Sequence, residues 1–141
     1  MFHEQRTSVP DSPDDLRAEY ETDLRSVLEG REIAAVVEAS DVDREDLEAL
    51  SATKSPDLSL EEAAEIQALA DGTPDPETIV EIACEHLLLG MTTAVLDVDA
   101  VESELDLDLD AKEIQQKIER RAPMSFEEYV HLQYAIVDAM P

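Results

Sequence analysis

Lys112, Gln115, Gln116, Lys117, Arg120 and Arg121 are the residues of this 141-residue chain best suited to chemistry, because cations and amides recur there at helical spacing. A glutamine amide pairs bidentately with adenine, a lysine suits guanine, and arginines near a helix end hold phosphate oxygens. Their clustering is unusual, since four of only 10 Lys and Arg fall between 112 and 121 in a chain of formal net charge -26. From Ala111 to Arg121 only Glu113 and Glu119 oppose them, which leaves net +2. At about 100° per residue, Ile114 and Ile118 form an inward stripe while Lys112, Gln115 and Gln116 point outward. The same residues also have a structural use. Arg120 and Arg121 complement the dipole of a helix C-terminus, and Lys112 and Lys117 can pair with nearby acids.

No other constellation reads as a catalytic or metal centre. Asp106, Asp108 and Asp110 echo the first three ligands of a calcium loop, but Ala111 stands where glycine is needed and Lys117 where the closing glutamate belongs. Cys84 and His86 are two apart on an expected helix, so their side chains diverge by roughly 200° and cannot share an ion. Glu128 and His131 form a single E-x-x-H, whereas a carboxylate-bridged metal bundle needs two. With three glycines there is no glycine-rich loop, and no serine or cysteine has a base at a suggestive spacing. The expectation is a non-enzymatic protein with no cofactor, no metal and no small-molecule substrate.

Local signals place these residues on helices. Residues 1–13 carry two prolines and no periodicity and read as a flexible N-terminal arm. Leu16, Tyr20, Leu24 and Leu28 then form an apolar stripe that ends at Gly30. "REIAAVVEAS" is a second helix, and Asp43 caps a third that carries Leu47 and Leu50 and breaks at Pro56. Ser59 followed by Glu61 and Glu62 opens a fourth helix through Ile66 and Leu69. Asp75 and Pro76 start the most apolar segment, "PETIVEIACEHLLLGMTTAVL", with Gly90 inside it as a candidate kink. This segment, within 74–97, is expected to be the central helix between a first unit at 14–73 and a second at 98–141.

The pattern recurs. "DVDREDLEALSATKSP" (41–56) aligns without a gap on "DLDAKEIQQKIERRAP" (108–123), and "LSLEEAAEIQ" (58–67) lies on "MSFEEYVHLQ" (124–133) after one dropped residue. Ser59, Glu61, Glu62 and Gln67 thereby match Ser125, Glu127, Glu128 and Gln133. Spacing held over this length points to a tandem pair of units. The first unit, "IAAVVEASDVDREDLEALSATKSPDLSLEEAAEIQALA", resembles the helix-turn-helix core of the Cro and lambda-repressor-type family. The likeness lies in the turn at Val42, the inward Leu47 and Leu50, and a third-helix segment at "KSPDLSLEEAAEIQAL". Asp41 replaces that family's turn glycine, and Val37 stands where a small residue is usual. The resemblance implies an all-α fold, two helix-turn-helix-like units packed on the central apolar helix, and a second motif helix that enters the major groove. In the first unit the reading positions are Arg44, Glu45 and Glu48, a set that phosphate repels. In the second they fall on the basic 111–121 helix.

Asp and Glu number 36, spread along the whole chain, and sequence pI is near 4.1. That composition resembles cytosolic proteins of salt-in halophiles, and the chain also resembles an uncharacterised family of small acidic haloarchaeal proteins, which implies no activity. Dense carboxylates keep a surface hydrated in concentrated salt, where a Debye length of about 3 Å at 1 M mutes their repulsion. One cysteine excludes an intramolecular disulfide, and no apolar run suits a signal or a membrane span, so the expected location is cytoplasmic. Two partner readings stay open. One is a transcription-associated regulator that contacts DNA through the 111–121 helix, which requires that helix to be free of acidic neighbours. The other is a protein-interaction or dimerisation module, with a protein partner or homodimer, that no longer binds DNA.

Overall fold

Capping residues divide the chain into eight helices: α1 Pro13–Leu28, α2 Ile33–Ala39, α3 Arg44–Ser51, α4 Leu60–Gln67, α5 Pro76–Ala94, α6 Val98–Glu104, α7 Ala111–Ile118 and α8 Phe126–Asp138. The computed structural model describes residues 1–141, and the protein is all-α. The helices begin where local chemistry satisfies their first N–H groups. Ser12 accepts from Asp15 N–H and Pro13 follows; Asp75 accepts from Thr78 N–H and Pro76 follows. Ser59 and Ser125 each form a full capping box, with Glu62 and Glu128 accepting from the serine backbone N–H in return. Asp43 holds the capping position of α3 but makes no side-chain cap bond.

Two helix bounds differ from what proline and periodicity alone suggest. α3 stops at Ser51, before Pro56, because Thr53 turns left-handed at φ 60 and Lys54 N–H returns to Ala49 O at 2.9 Å. α6 was not marked by periodicity at all, since Val101 is its one buried residue; Asp97 caps it by accepting from Ala100 N–H at 2.8 Å.

α5 packs against α4 on one side and α8 on another, with α7 alongside. Gly90 neither breaks nor kinks it. A Cβ at Gly90 would lie 2.7 Å from Ile136 Cγ2, so the glycine is what lets α8 approach α5 this closely. No single helix is long and apolar enough to cross a membrane, and α5 and α6 are bent by 93°.

One contiguous core runs from Phe2 through Leu47, Ile66 and Leu87 to Ile114 and Ile136, so both halves share it. Residues 1–12 form no helix, yet they are anchored. Phe2 is 1% exposed and meets Tyr20, Phe126 and Tyr129 edge-on, with ring centroids 5.3–6.3 Å apart. Tyr129 Oη donates to Phe2 O at 2.8 Å, Gln133 Nε2 donates to Tyr129 Oη at 3.1 Å, and Tyr20 Oη donates to Gln133 Oε1. An aromatic-poor chain thus gathers four of its rings in one cluster that closes the N-terminal segment onto α1 and α8.

The residues before α4 and α8 meet through backbone hydrogen bonds. Leu60 N–H donates to Met124 O at 2.9 Å and Phe126 N–H donates to Leu58 O at 2.8 Å, a reciprocal antiparallel bridge centred on Ser59 and Ser125. α3 and α7 begin and end 67 positions apart, and Arg120 repeats the left-handed turn of Thr53, with φ 63 against 60. Arg121 N–H returns to Gln116 O at 2.8 Å as Lys54 N–H does to Ala49 O.

Candidate interaction surface around helix α7

α7 starts at Asp110, whose carboxylate accepts from Glu113 N–H at 2.8 Å, and its inward stripe is Ile114 and Ile118, both buried. Lys112 and Gln115 are exposed and Gln116 is half-buried. Gln115 Nε2 donates to Glu119 Oε2 at 3.0 Å, and the same carboxylate pairs with Arg121 at 2.6 Å. Glu119 therefore ties an amide and a guanidinium that the sequence had offered as free donors.

Lys117 is committed inward. Its Nζ lies 2.8 Å from Glu128 Oε1 and 3.1 Å from Oε2, and it donates to Pro123 O at 3.0 Å. Burial pushes the Glu128 carboxyl up, but the Lys117 ammonium and the Ser125 backbone and hydroxyl hydrogen bonds outweigh it and hold the pKa below the usual glutamate value. The pair fastens the end of α7 to the start of α8. Lys117, which the sequence offered as a nucleic-acid contact, is thereby paired with a carboxylate of another helix. Nothing local announces this partner, because Glu128 already serves the capping box and lies 11 residues away.

Arg120 and Arg121 line a groove of about 770 Å³ between the two halves. Asp41, Glu61, Glu62, Glu65, Glu77 and Glu119 line it as well, and Leu60, Val80 and Met124 supply apolar surface. Asp41 N–H donates to Glu65 Oε2 at 3.0 Å, which fixes one carboxylate of the groove. Cys84 also lines the groove; burial pushes its thiol up to about 11, against a smaller opposing pull from Arg120, so it is protonated at neutral pH.

In the first half, Arg44 pairs with Glu48 at 3.2 Å, and Arg44, Glu45 and Glu48 are all exposed. Burial, then the charges of Glu62, Asp43, Glu45 and Asp57, raise the Asp46 carboxyl, which marks this face as strongly negative. The other arginines of this half serve as ties between helices. Arg25 Nε donates to Leu50 O at 2.7 Å, Arg31 Nη2 to Leu69 O at 2.8 Å and Arg17 Nη2 to Pro56 O at 2.8 Å. Each satisfies a carbonyl at or beyond a helix end, a role that sequence spacing does not reveal because donor and acceptor are 25–39 residues apart.

No group of three or more His, Cys, Asp or Glu is placed to hold a metal ion. His86 Nδ1 contacts His3 O at 2.9 Å, away from Cys84 and the groove.

A family model described as "Family of unknown function (DUF5791)" matches residues 16–139. No curated protein and no solved structure matches the chain.

Proposed function

We propose, from the premise that the chain belongs to this family of unknown function (DUF5791), that it is a non-enzymatic protein-interaction module. The observation that carries this reading is a groove lined by both signs of charge, Lys117, Arg120 and Arg121 together with Asp41, Glu61, Glu65, Glu77 and Glu119. A polyanion that reached the arginines would meet these carboxylates as well, whereas a protein segment bearing both signs finds a complement to each. The pairing of Lys117 with Glu128 supports the same reading, since it withdraws one of four cations from the surface.

The two halves read as copies of one helix-turn-helix-like unit, packed on α5 and joined at the Ser59–Ser125 bridge. The matching bounds of α3 and α7, matching left-handed turns and two capping boxes support that duplication. The acidic surface suits the cytosol of a salt-in cell.

One observation favours the rival reading, in which the protein is a regulator that touches DNA. Lys112 and Gln115 remain exposed on the first two turns of α7, where a recognition helix meets bases. Crosslinking of the tagged protein in a salt-in host separates the two. The module reading expects no DNA enrichment over an untagged control and protein crosslinks that are lost in an R120E/R121E variant. Reproducible enrichment of particular DNA sites would overturn it.

A further inference from the structure

Phe2 and His3 are buried at the tip of a turn, closed by Glu4 N–H donating to Met1 O at 3.2 Å, although no helix holds the chain there. Side chains of two helices grip their carbonyls instead. Tyr129 Oη of α8 donates to Phe2 O at 2.8 Å, and His86 Nδ1 of α5 lies 2.9 Å from His3 O. A carbonyl only accepts, so His86 carries its proton on Nδ1 and keeps that bond whether its ring is neutral or charged.

His3 is the weak point of this closure. The residue is 6% exposed, and its Nδ1 is buried with no hydrogen-bond partner. A neutral ring tolerates that position, since its proton can sit on Nε2 and leave only a lone pair on Nδ1. An imidazolium carries a proton on both nitrogens, so it would bury a charged donor that has no acceptor.

The surrounding charges do not reverse this. Burial lowers the His3 pKa most; Glu4 pulls the other way, and the Met1 ammonium and His86 add to the lowering. Glu4 is exposed and lies 3.8 Å from the Met1 ammonium, which also meets Asp23 of α1 at 3.5 Å. Arg6 answers Glu19 of α1 at 3.6 Å. Burial raises the pKa values of Tyr20 and Tyr129, so both phenols stay neutral in acid.

We infer that residues 1–6 form an acid-released clasp: a neutral His3 lets the arm close on α1, α5 and α8, and a protonated His3 favours an open arm that uncovers the aromatic slot of Tyr20, Phe126 and Tyr129. Above the pH at which an unburied histidine titrates, open and closed forms are both neutral and closure is at full strength. Below it the open arm takes a proton that the closed arm resists, so closure weakens until pH passes the lower value of the buried ring. One exchanged proton changes the open-to-closed ratio by at most about tenfold per pH unit. None of residues 1–6 lines the groove that holds Arg120 and Arg121, so the clasp is a device separate from the interaction site.

Fluorine NMR of the full chain, with 4-fluorophenylalanine at its two phenylalanines, reads the open and closed signals of Phe2. In molar KCl the open-to-closed ratio should rise by about tenfold from pH 7 to pH 5 while ellipticity at 222 nm is unchanged. H3Q, which takes up no proton, should abolish the rise, and H86Q should keep it. The same linkage is read from the other side by proton NMR of the His3 ring. It should titrate at lower pH in the wild type than in F2A, whose emptied slot no longer holds the arm closed. That comparison stands even if glutamine at position 3 disturbs the tip of the turn. A ratio unchanged between pH 7 and pH 5, a rise that survives in H3Q or is lost in H86Q, or a His3 ring that titrates alike in wild type and F2A overturns the inference.

Discussion

Lys117 Nζ and Glu128 Oε1 lie 2.8 Å apart where the end of α7 meets the capping box of α8. On α3, which begins and ends 67 positions before α7, the residue 67 positions before Lys117 is the buried Leu50, so a core contact stands there where α7 has a half-buried ion pair. Lys117→Met should destabilise the protein by about 1–2 kcal/mol at neutral pH, because a hydrogen-bonded carboxylate loses its cation. The Glu128 pKa is depressed in the folded state, so its contribution is present above the unfolded glutamate value and is lost as pH falls through the lower folded value. The gap between wild type and variant should therefore close as pH is lowered below about 4. Urea titrations at a series of pH values in constant KCl check this. A gap that persists in acid would show that packing of the lysine stem, and not charge, sets the penalty.

Gly90→Ala should destabilise by about 1–2 kcal/mol, although alanine is the better helix former by about 1 kcal/mol. The new methyl meets Ile136 Cγ2, a branch at Cβ that cannot swing aside. Ile136→Leu moves that branch outward, so G90A/I136L should recover most of the loss. Thermal melts of the three variants read the sign, and a raised melting temperature for G90A alone contradicts the close-approach argument.

Phe2→Ala should cost about 3 kcal/mol, the scale for emptying a buried aromatic site. An unanchored arm would tolerate the change within about 0.5 kcal/mol. Denaturant midpoints of the variant against wild type distinguish the two, and the fluorescence of Tyr20 and Tyr129 should respond as well, since both rings touch Phe2.

Ellipticity at 222 nm should fall as KCl is diluted below about 1 M, because unscreened repulsion among carboxylates then opposes compaction. The arrangement of cations sharpens this expectation. Arg25 and Arg31 hold backbone carbonyls at helix ends instead of neutralising the surface, so few cations are left to relieve the acids. Full helicity in dilute buffer would remove the case for salt adaptation.

Much of the helical framework was legible in residue order, because its causes are local. Ser59 and Glu62, Ser125 and Glu128, and Asp75 with Pro76 act within a single turn, so their spacing alone marks where α4, α8 and α5 begin. The inward stripe of α7 was legible for the same reason, since Ile114 and Ile118 differ by one helical turn. α6 was not, because seven residues with one buried valine show no period.

The sequence by itself thus determined the all-α class, the starts of α4, α5 and α8 and the clustering of cations near 112–121. Only the tertiary structure decided what each cation does. Lys117 goes to Glu128, Arg121 to Glu119, and Arg17, Arg25 and Arg31 to carbonyls far along the chain, while Lys112 is left outside. It likewise decided that Phe2 belongs to the core and that Gly90 is a contact point. Caps and amphipathic stripes are set by neighbours a turn away, whereas the partner of a long charged side chain is whichever acceptor the packed core brings within its reach.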